Sequence, residues 1–248
     1  MSKLLRLKET GVWFSTVNAL RSRLGLSAYF RQKFELSDRW VWLYGRRNTS
    51  DSYVYDQVIN NKEYLPFSKF SNVVSIIDAG ANVGYSSAYL TSLFPEAKII
   101  AIEPDKSNYE LLCKNMKFLR NVVPVHGAIW SKTTSISMSN EVFGDGLDWS
   151  KSVSDVDGDV SAYTISDIIA DFSLTGPLII KMDIEGAETI VFRDGATDWL
   201  SSTSAIILEI HPDSHFGNPT DYIFQTMDRH ALKHIVTNEG HMFYKDLE

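Results

Sequence analysis

Two short runs of this chain alternate ionisable side chains in a way that suits proton transfer. Lys181, Asp183 and Glu185 form one run, and Glu209 and His211 form the other. A period of two puts such side chains on one side of a strand. In an open α/β sheet, ligands sit beyond the carboxyl ends of the strands. If the two runs end neighbouring strands, five ionisable groups converge there, and burying so many is costly unless they are paired or used. A histidine near neutrality, or a desolvated carboxylate, can take the proton of a hydroxyl as it attacks carbon. His211 and Asp183 are therefore the candidate bases, with Glu185 and Glu209 orienting the acceptor or the imidazole. The competing reading is a structural Lys181–carboxylate pair with His211 capping a strand. A divalent cation would also suit carboxylates and imidazole, but nothing in the spacing requires one, and no metal is expected.

A second feature is the segment Asp78-Ala79-Gly80-Ala81-Asn82-Val83-Gly84, which follows an apolar run and precedes a helical pattern. Glycines at such a strand-to-helix turn let the backbone bend sharply and approach a ligand, and the helix beyond it presents a positive dipole end. A dinucleotide pyrophosphate would want G-x-G-x-x-G. Here the spacing is Gly80-x-x-x-Gly84 led by an acid, which repels a pyrophosphate but suits an amino group and a sulfonium. Glu103, nineteen residues after Gly84, ends the next apolar run and is placed to accept hydrogen bonds from two ribose hydroxyls. Pro104 then turns the chain outward. These residues favour S-adenosyl-L-methionine over a nicotinamide cofactor. Asp78, Gly80, Ala81, Asn82, Gly84, Tyr85, Glu103, Pro104, Ala128, Ile129 and Asp183 are the candidate cofactor-binding residues. His126 and Trp130 stand near the expected adenine pocket, where ordinary packing accounts for them equally well; Tyr55 and Tyr64 precede the core and could close over the cofactor, but helix packing is the favoured reading.

The stretches Ile77–Ser87, Ala101-Ile102-Glu103-Pro104-Asp105 with Asn115, and Lys181-Met182-Asp183-Ile184-Glu185-Gly186-Ala187-Glu188 closely resemble the FkbM family of S-adenosylmethionine-dependent methyltransferases. The likeness extends from about Tyr44 to His211, through Arg46–Asp51, Glu63-Tyr64 and Thr164–Ile168. It implies an O-methyltransferase acting on a hydroxyl of a sugar, glycolipid or secondary metabolite. It also implies a Rossmann-like class I fold, with a seven-stranded, mostly parallel sheet in the order 3-2-1-4-5-7-6. Two other classes remain in view. An NAD-dependent dehydrogenase would need the glycine spacing that is absent here, and a non-catalytic module would bind the cofactor or a membrane without turnover.

The elements that must position these residues are legible as alternation. Apolar strands are expected at Val73–Asp78, Lys98–Glu103, Val122–Val125, Leu178–Asp183 and Ala205–His211. Helices are expected at Tyr85–Phe94, Ser107–Leu119, Thr164–Asp171, from Ala187 and at Asp221–Arg229. Strands separated by helices pair in parallel with helices on both faces. The closing runs Leu232–Thr237 and His241–Lys245, joined by Asn238-Glu239-Gly240, read as a hairpin. Residues 1–70 read as a helical extension: residues 10–36 carry Trp13, Phe14, Val17, Leu20, Leu24, Tyr29 and Phe30 at roughly helical spacing, and residues 52–65 form a further helix. Residues 71–248 form the methyltransferase domain, in which 139–161, rich in Gly, Ser and Asp, read as a lid or substrate loop. Asp155, Asp157 and Asp159 lack the later glutamate of an EF-hand calcium loop.

Composition sets the class. A hydrophobic fraction of 44% and a charged fraction of 22% belong to an ordinary globular chain. The net charge of −7 argues against a nucleic-acid binder, yet the charge is unevenly spread. Residues 1–50 hold ten of the 24 basic and three of the 31 acidic side chains. This basic segment is a candidate for membrane contact, although packing on its own domain is the favoured reading, and its aromatic residues offer a homodimer contact. With one cysteine, Cys113, no internal disulfide forms. No apolar run reaches the ~20 residues that cross a bilayer, and the amino terminus lacks a signal-peptide pattern, so a cytoplasmic location is expected.

Overall fold

The computed structural model describes residues 29–142, 151–154, 158–237 and 240–246. The chain enters through an antiparallel hairpin, β1 (Tyr29–Glu35) and β2 (Trp40–Arg46), then a short helix α1 (Asp51–Tyr55) that runs on as a π-helical turn, Asp56–Asn60. The alternating core follows as β3 (Ser75–Ala79), α2 (Tyr85–Leu93), β4 (Lys98–Glu103), α3 (Lys106–Met116) and β5 (Val122–His126). Four short strands come next: β6 (Ala128–Ile129), β7 (Thr134–Val142), β8 (Lys151–Ser154) and β9 (Val160–Tyr163). The chain closes with α4 (Ile165–Asp171), β10 (Leu178–Met182), α5 (Glu188–Asp194), β11 (Thr203–Leu208), α6 (Thr220–Arg229), β12 (Lys233–Val236) and β13 (His241–Tyr244).

Seven strands form the main sheet in the order β12-β13-β11-β10-β3-β4-β5. Counted along the main sheet, this is the expected 3-2-1-4-5-7-6 arrangement of a class I methyltransferase. The five strands from β11 to β5 run parallel, and β13 is antiparallel to both neighbours. The apolar runs are continuous because the central strands are covered on both faces. The pleat sends Ile76, Ile99 and Ile179 into one core with α2 and α3, and Ile77, Ile100, Ile180 and Ile206 into the other. A second sheet of four strands, β6-β9-β7-β8, lies beside it.

Two sequence expectations meet a different structure. The helical reading of residues 10–36 covers Tyr29–Glu35, which is a strand; residues 1–28 lie outside the described residues. Phe30 and Phe34 sit four apart, as on a helix, but they alternate with exposed Tyr29, Arg31 and Lys33, and Val41 and Leu43 repeat that period on β2. Cross-strand burial decided the conformation over local spacing. Phe34, Val41, Leu43, Tyr55 and Phe67 share one core with Ile76 and Leu90, so this part of residues 1–70 packs on the sheet. Within 139–161, the expected loop is partly strand at β7, β8 and β9; residues 143–150 and 155–157 lie outside the described residues. Among the described residues no helix is long and apolar enough to cross a membrane.

Candidate functional site

The register of the main sheet explains how distant residues meet. Ile102, Ala79, Met182 and Leu208 lie level on adjacent strands. One residue further on, Glu103, Gly80, Asp183 and Glu209 therefore stand in a row along the carboxyl edge. All four line a cavity of about 360 Å³, at the small end of the range for ligand sites. Its walls also carry Ala81, Asn82, Tyr85, Pro104, Ala128, Ile129, Glu185 and His211.

The amides of the loop from Gly80 to Gly84 are mostly held by the end of β4. The amides of Gly80 and Ala81 donate to the Ile102 carbonyl at 3.0 and 2.9 Å, and that of Gly84 donates to Ala81. The amide of Asn82 donates to Glu103 Oε2 at 2.8 Å. Gly80 and Gly84 take positive φ of 76° and 92°, the region that favours glycine. A Cβ at Gly84 would meet the Leu112 and Met116 side chains at 2.7 and 2.9 Å. These glycines thus answer to packing between strand, loop and helix. Asp78 and Gly84 stand behind the cavity wall rather than on it. Asp78 is fully buried, accepts from the Ser86 and Ser87 hydroxyls at 2.7 and 2.5 Å, and lies 3.6 Å from Lys181 Nζ. It braces the turn from beneath.

Glu103 closes one end of the cavity. Its Oε1 accepts from the Asp105 amide at 2.9 Å and from Asn108 Nδ2 at 3.3 Å. Burial pushes its carboxyl up to about 7, against the pull of the Asp105 and Asn82 amides and the Asn108 amide group. Asn108, three residues after the cap Asp105, was not singled out from sequence. His126 is exposed at the end of β5, stacked on Tyr109 with Nε2 3.0 Å from the Pro104 carbonyl. Trp130 belongs to a separate apolar cluster with Ile136 and Ile190. Tyr64 reaches the cavity wall, while Tyr55 packs edge-on against Tyr85 beneath it.

At the other end the charged ladder does converge. Lys181 Nζ donates to the Gly80 carbonyl at 2.6 Å and lies 3.6 Å from both Asp78 and Asp183. Burial alone would lower its pKa, but Asp183, Asp78, Glu63 and Glu209 together raise it. His211 Nδ1 meets Glu188 Oε1 at 3.1 Å. Its Nε2 faces Glu185 at 3.6 Å, Glu209 at 3.9 Å and Asp183 at 4.0 Å. Burial opposes the imidazolium, yet Glu188, Asp183 and Glu185 carry the pKa up to about 10. Burial, with Asp183 next, raises both Glu185 and Glu209. The surrounding carboxylates thus favour the protonated imidazole. Asp183 Oδ1, buried on the cavity wall, has no hydrogen-bond partner among the described residues. Asp183, Glu209 and His211 place one ligand atom each within 4.8 Å of one another, the spacing of a divalent-cation site, although acidic clusters commonly stand without one.

Glu188 closes the Lys181–Glu188 run, whose spacing assigns it no role. Its signal was present: with Val191 and Phe192 three and four residues on, it lies on the buried face of α5. A fully buried acid on an apolar helix face asks for a partner, and His211 is that partner.

The sequence profile of the FkbM methyltransferase domain matches residues 78–235. Methyltransferase sdnD of Sordaria araneosa is 35% identical over 68 residues, covering 26% of this chain and 24% of that protein. The match thus spans about a quarter of that relative's length. Among solved structures, the fibrillarin pre-rRNA processing protein of Methanococcus jannaschii aligns with a TM-score of 0.46 and 10% identity, over 88% of this chain and 83% of that one. Aeropyrum pernix fibrillarin, with natively bound S-adenosyl-L-methionine, aligns at 0.43 and 13% over 89% and 84%. Precorrin-6y C5,15-methyltransferase of Geobacter metallireducens GS-15 aligns at 0.42 and 13% over 82% and 93%. At these identities and TM-scores the three structures bear on neither substrate nor partner.

Proposed function

The chain belongs to the FkbM family of S-adenosylmethionine-dependent methyltransferases, and from that premise we propose that it methylates a hydroxyl of a sugar, glycolipid or secondary metabolite. The observation that carries this reading is Asp183 Oδ1, an unpartnered acceptor on the cavity wall among groups that hold protons. Family membership sets aside the dehydrogenase alternative.

The cavity fits the cofactor. Glu103 offers a buried carboxylate for two ribose hydroxyls, Ala128 and Ile129 an apolar wall for adenine, and Asn82 Oδ1 an unpartnered acceptor. Asp183 and the Gly80–Tyr85 turn bound the space between. When bound, S-adenosylmethionine supplies a methyl group on a positively charged sulfur. Methyl transfer to oxygen is an in-line displacement, so the chain must align the acceptor and receive its proton. Asp183 Oδ1 accepts that proton. Lys181, at 3.6 Å, holds the carboxylate in place. Glu185 and Glu209, protonated by burial, donate hydrogen bonds to the acceptor's oxygens. His211, tied to Glu188, places its imidazole beside Asp183, Glu185 and Glu209.

Calorimetry with S-adenosylhomocysteine tests cofactor binding, and a panel of hydroxylated acceptors with methyl-labelled cofactor tests the reaction. Label transferred to nitrogen or carbon acceptors alone would overturn the hydroxyl assignment.

A further inference from the structure

The outward face of the β1–β2 hairpin is unlike the rest of this acidic molecule. Phe30, Phe34, Val41 and Leu43 point into the core, so the pleat turns Tyr29, Arg31, Lys33 and Glu35 outward, with half-buried Tyr44 across from Arg31, Trp42 across from Lys33 and Trp40 across from Glu35. Trp40 is 59% exposed, and Phe118, at the end of α3, is 66% exposed. Cations are laid over these rings. The Arg31 guanidinium is 4.4 Å from the Trp42 centroid and Lys33 Nζ is 5.6 Å from it. Lys114 Nζ lies 3.8 Å over Tyr44 and 4.6 Å over Tyr29. Arg39 donates to the Phe118 carbonyl at 2.9 Å, which joins the hairpin turn to α3. Large exposed rings interleaved with Lys and Arg are costly decoration for a surface that meets only water.

We propose that this face docks the protein on an anionic phospholipid surface. Indole and phenyl rings suit the headgroup region, where one end of the ring is wet and the other apolar. Lysine and arginine stems lie along the rings while their heads reach lipid phosphates. Charge complementarity selects the partner. The chain carries −7 overall, but residues 1–50, which include β1 and β2, concentrate ten basic against three acidic side chains. A planar anionic surface meets this one face only. A nucleic acid long enough to run on would meet the acidic remainder and be repelled. Within the basic segment of residues 1–50, the membrane contact thus belongs to the folded hairpin. It holds whatever the methyl acceptor is.

The test is co-sedimentation of the full chain with phosphatidylcholine vesicles, with and without phosphatidylserine, at low and high salt. Binding is expected only with phosphatidylserine and is expected to weaken with salt. The double variant Arg31→Glu/Lys33→Glu loses at least about thirtyfold in vesicle affinity, from two cations near the surface. Trp40→Ser, at an exposed position, weakens the residual binding at high salt. Both variants keep their affinity for S-adenosylhomocysteine, which shows that they fold. No binding to phosphatidylserine vesicles overturns the proposal. So does double-variant binding equal to the wild type, which moves the contact elsewhere in the chain. Preferential binding of an RNA oligonucleotide over the vesicles overturns it too.

Discussion

The carbonyl oxygen of Asp183 occupies the space that a side chain at Gly80 would need: a Cβ there would stand 1.7 Å from it. The first strand's loop and the end of β10 are thus packed backbone to backbone, with φ of +76° at Gly80. The consequence is structural before it is chemical. Gly80→Ala should cost on the order of 3 kcal/mol, from the left-handed backbone and the clash together. Thermal unfolding measures this directly. If Gly80→Ala unfolds like the wild type yet fails to bind S-adenosylhomocysteine, then glycine serves the ligand and not the packing.

Asp183 and His211 separate by their proton inventory. Asp183→Asn should lower kcat by about 10²–10⁴-fold, the range for a lost general base. His211→Gln keeps a hydrogen bond to Glu188 but removes the cation, and should lower kcat less, by about tenfold. A histidine base whose pKa is carried to about 10 would make kcat climb steeply toward that pH. An Asp183 base leaves the wild-type profile without that climb. The pH profile of kcat in the wild type and in His211→Gln decides between them.

The sheet was legible because its strands are short, apolar and punctuated, so that Ile99-Ile100 or Ile179-Ile180 can serve no exposed element. The cofactor end was legible through Glu103, an acid closing such a run. Two things stayed hidden. One is the hairpin, whose Phe30 and Phe34 satisfy a helical spacing locally, so that only pairing with Val41 and Leu43 reveals the strand. The other is the protonation of His211. It depends on Glu188, Asp183 and Glu185, from the end of β10 and the start of α5, meeting an imidazole that arrives from beyond β11, a sum of charges that no single motif contains. Asp78 reads from sequence as a ligand group because it is an acid beside glycines, and the fold adds Ser86 and Ser87, in the first turn of α2, as donors to its Oδ2.

Glu103 ties ligand affinity and stability to pH with opposite signs. Its pKa stands at about 7 in the folded chain, raised by burial above the usual carboxylate value. A raised folded pKa contributes stability below the unfolded value near 4.5, and that contribution is lost as pH rises through about 7. The ribose hydroxyls need the ionised form as acceptor, so affinity should fall as pH drops below about 7. Glu103→Gln should weaken S-adenosylhomocysteine by about 10–100-fold, the loss of hydrogen bonds to a charged group. It should also flatten the pH dependence. Calorimetry on either side of pH 7 checks both, and an unchanged affinity in the variant would separate Glu103 from the ribose.

Arg46 carries the hairpin's link to the cofactor end of the sheet. Its guanidinium donates to Asp51 Oδ1 at 2.8 Å and to Asn108 Oδ1 at 2.7 Å, and Asn108 in turn donates to Glu103. Asp51 is nearly fully buried and Arg46 about one-fifth exposed, so removing the guanidinium leaves the buried carboxylate without its cation, held by the residue-46 amide at 2.7 Å. Arg46→Ala should therefore destabilise the chain by about 3 kcal/mol, which for a chain of this length lowers Tm by roughly 6–12 °C. Arg46→Lys restores charge but not the fork that spans Asp51 and Asn108. If Arg46 also positions Glu103, the lysine variant should recover most of the Tm and still bind S-adenosylhomocysteine several-fold more weakly than the wild type. Full recovery of both in Arg46→Lys would confine Arg46 to holding the hairpin on the sheet.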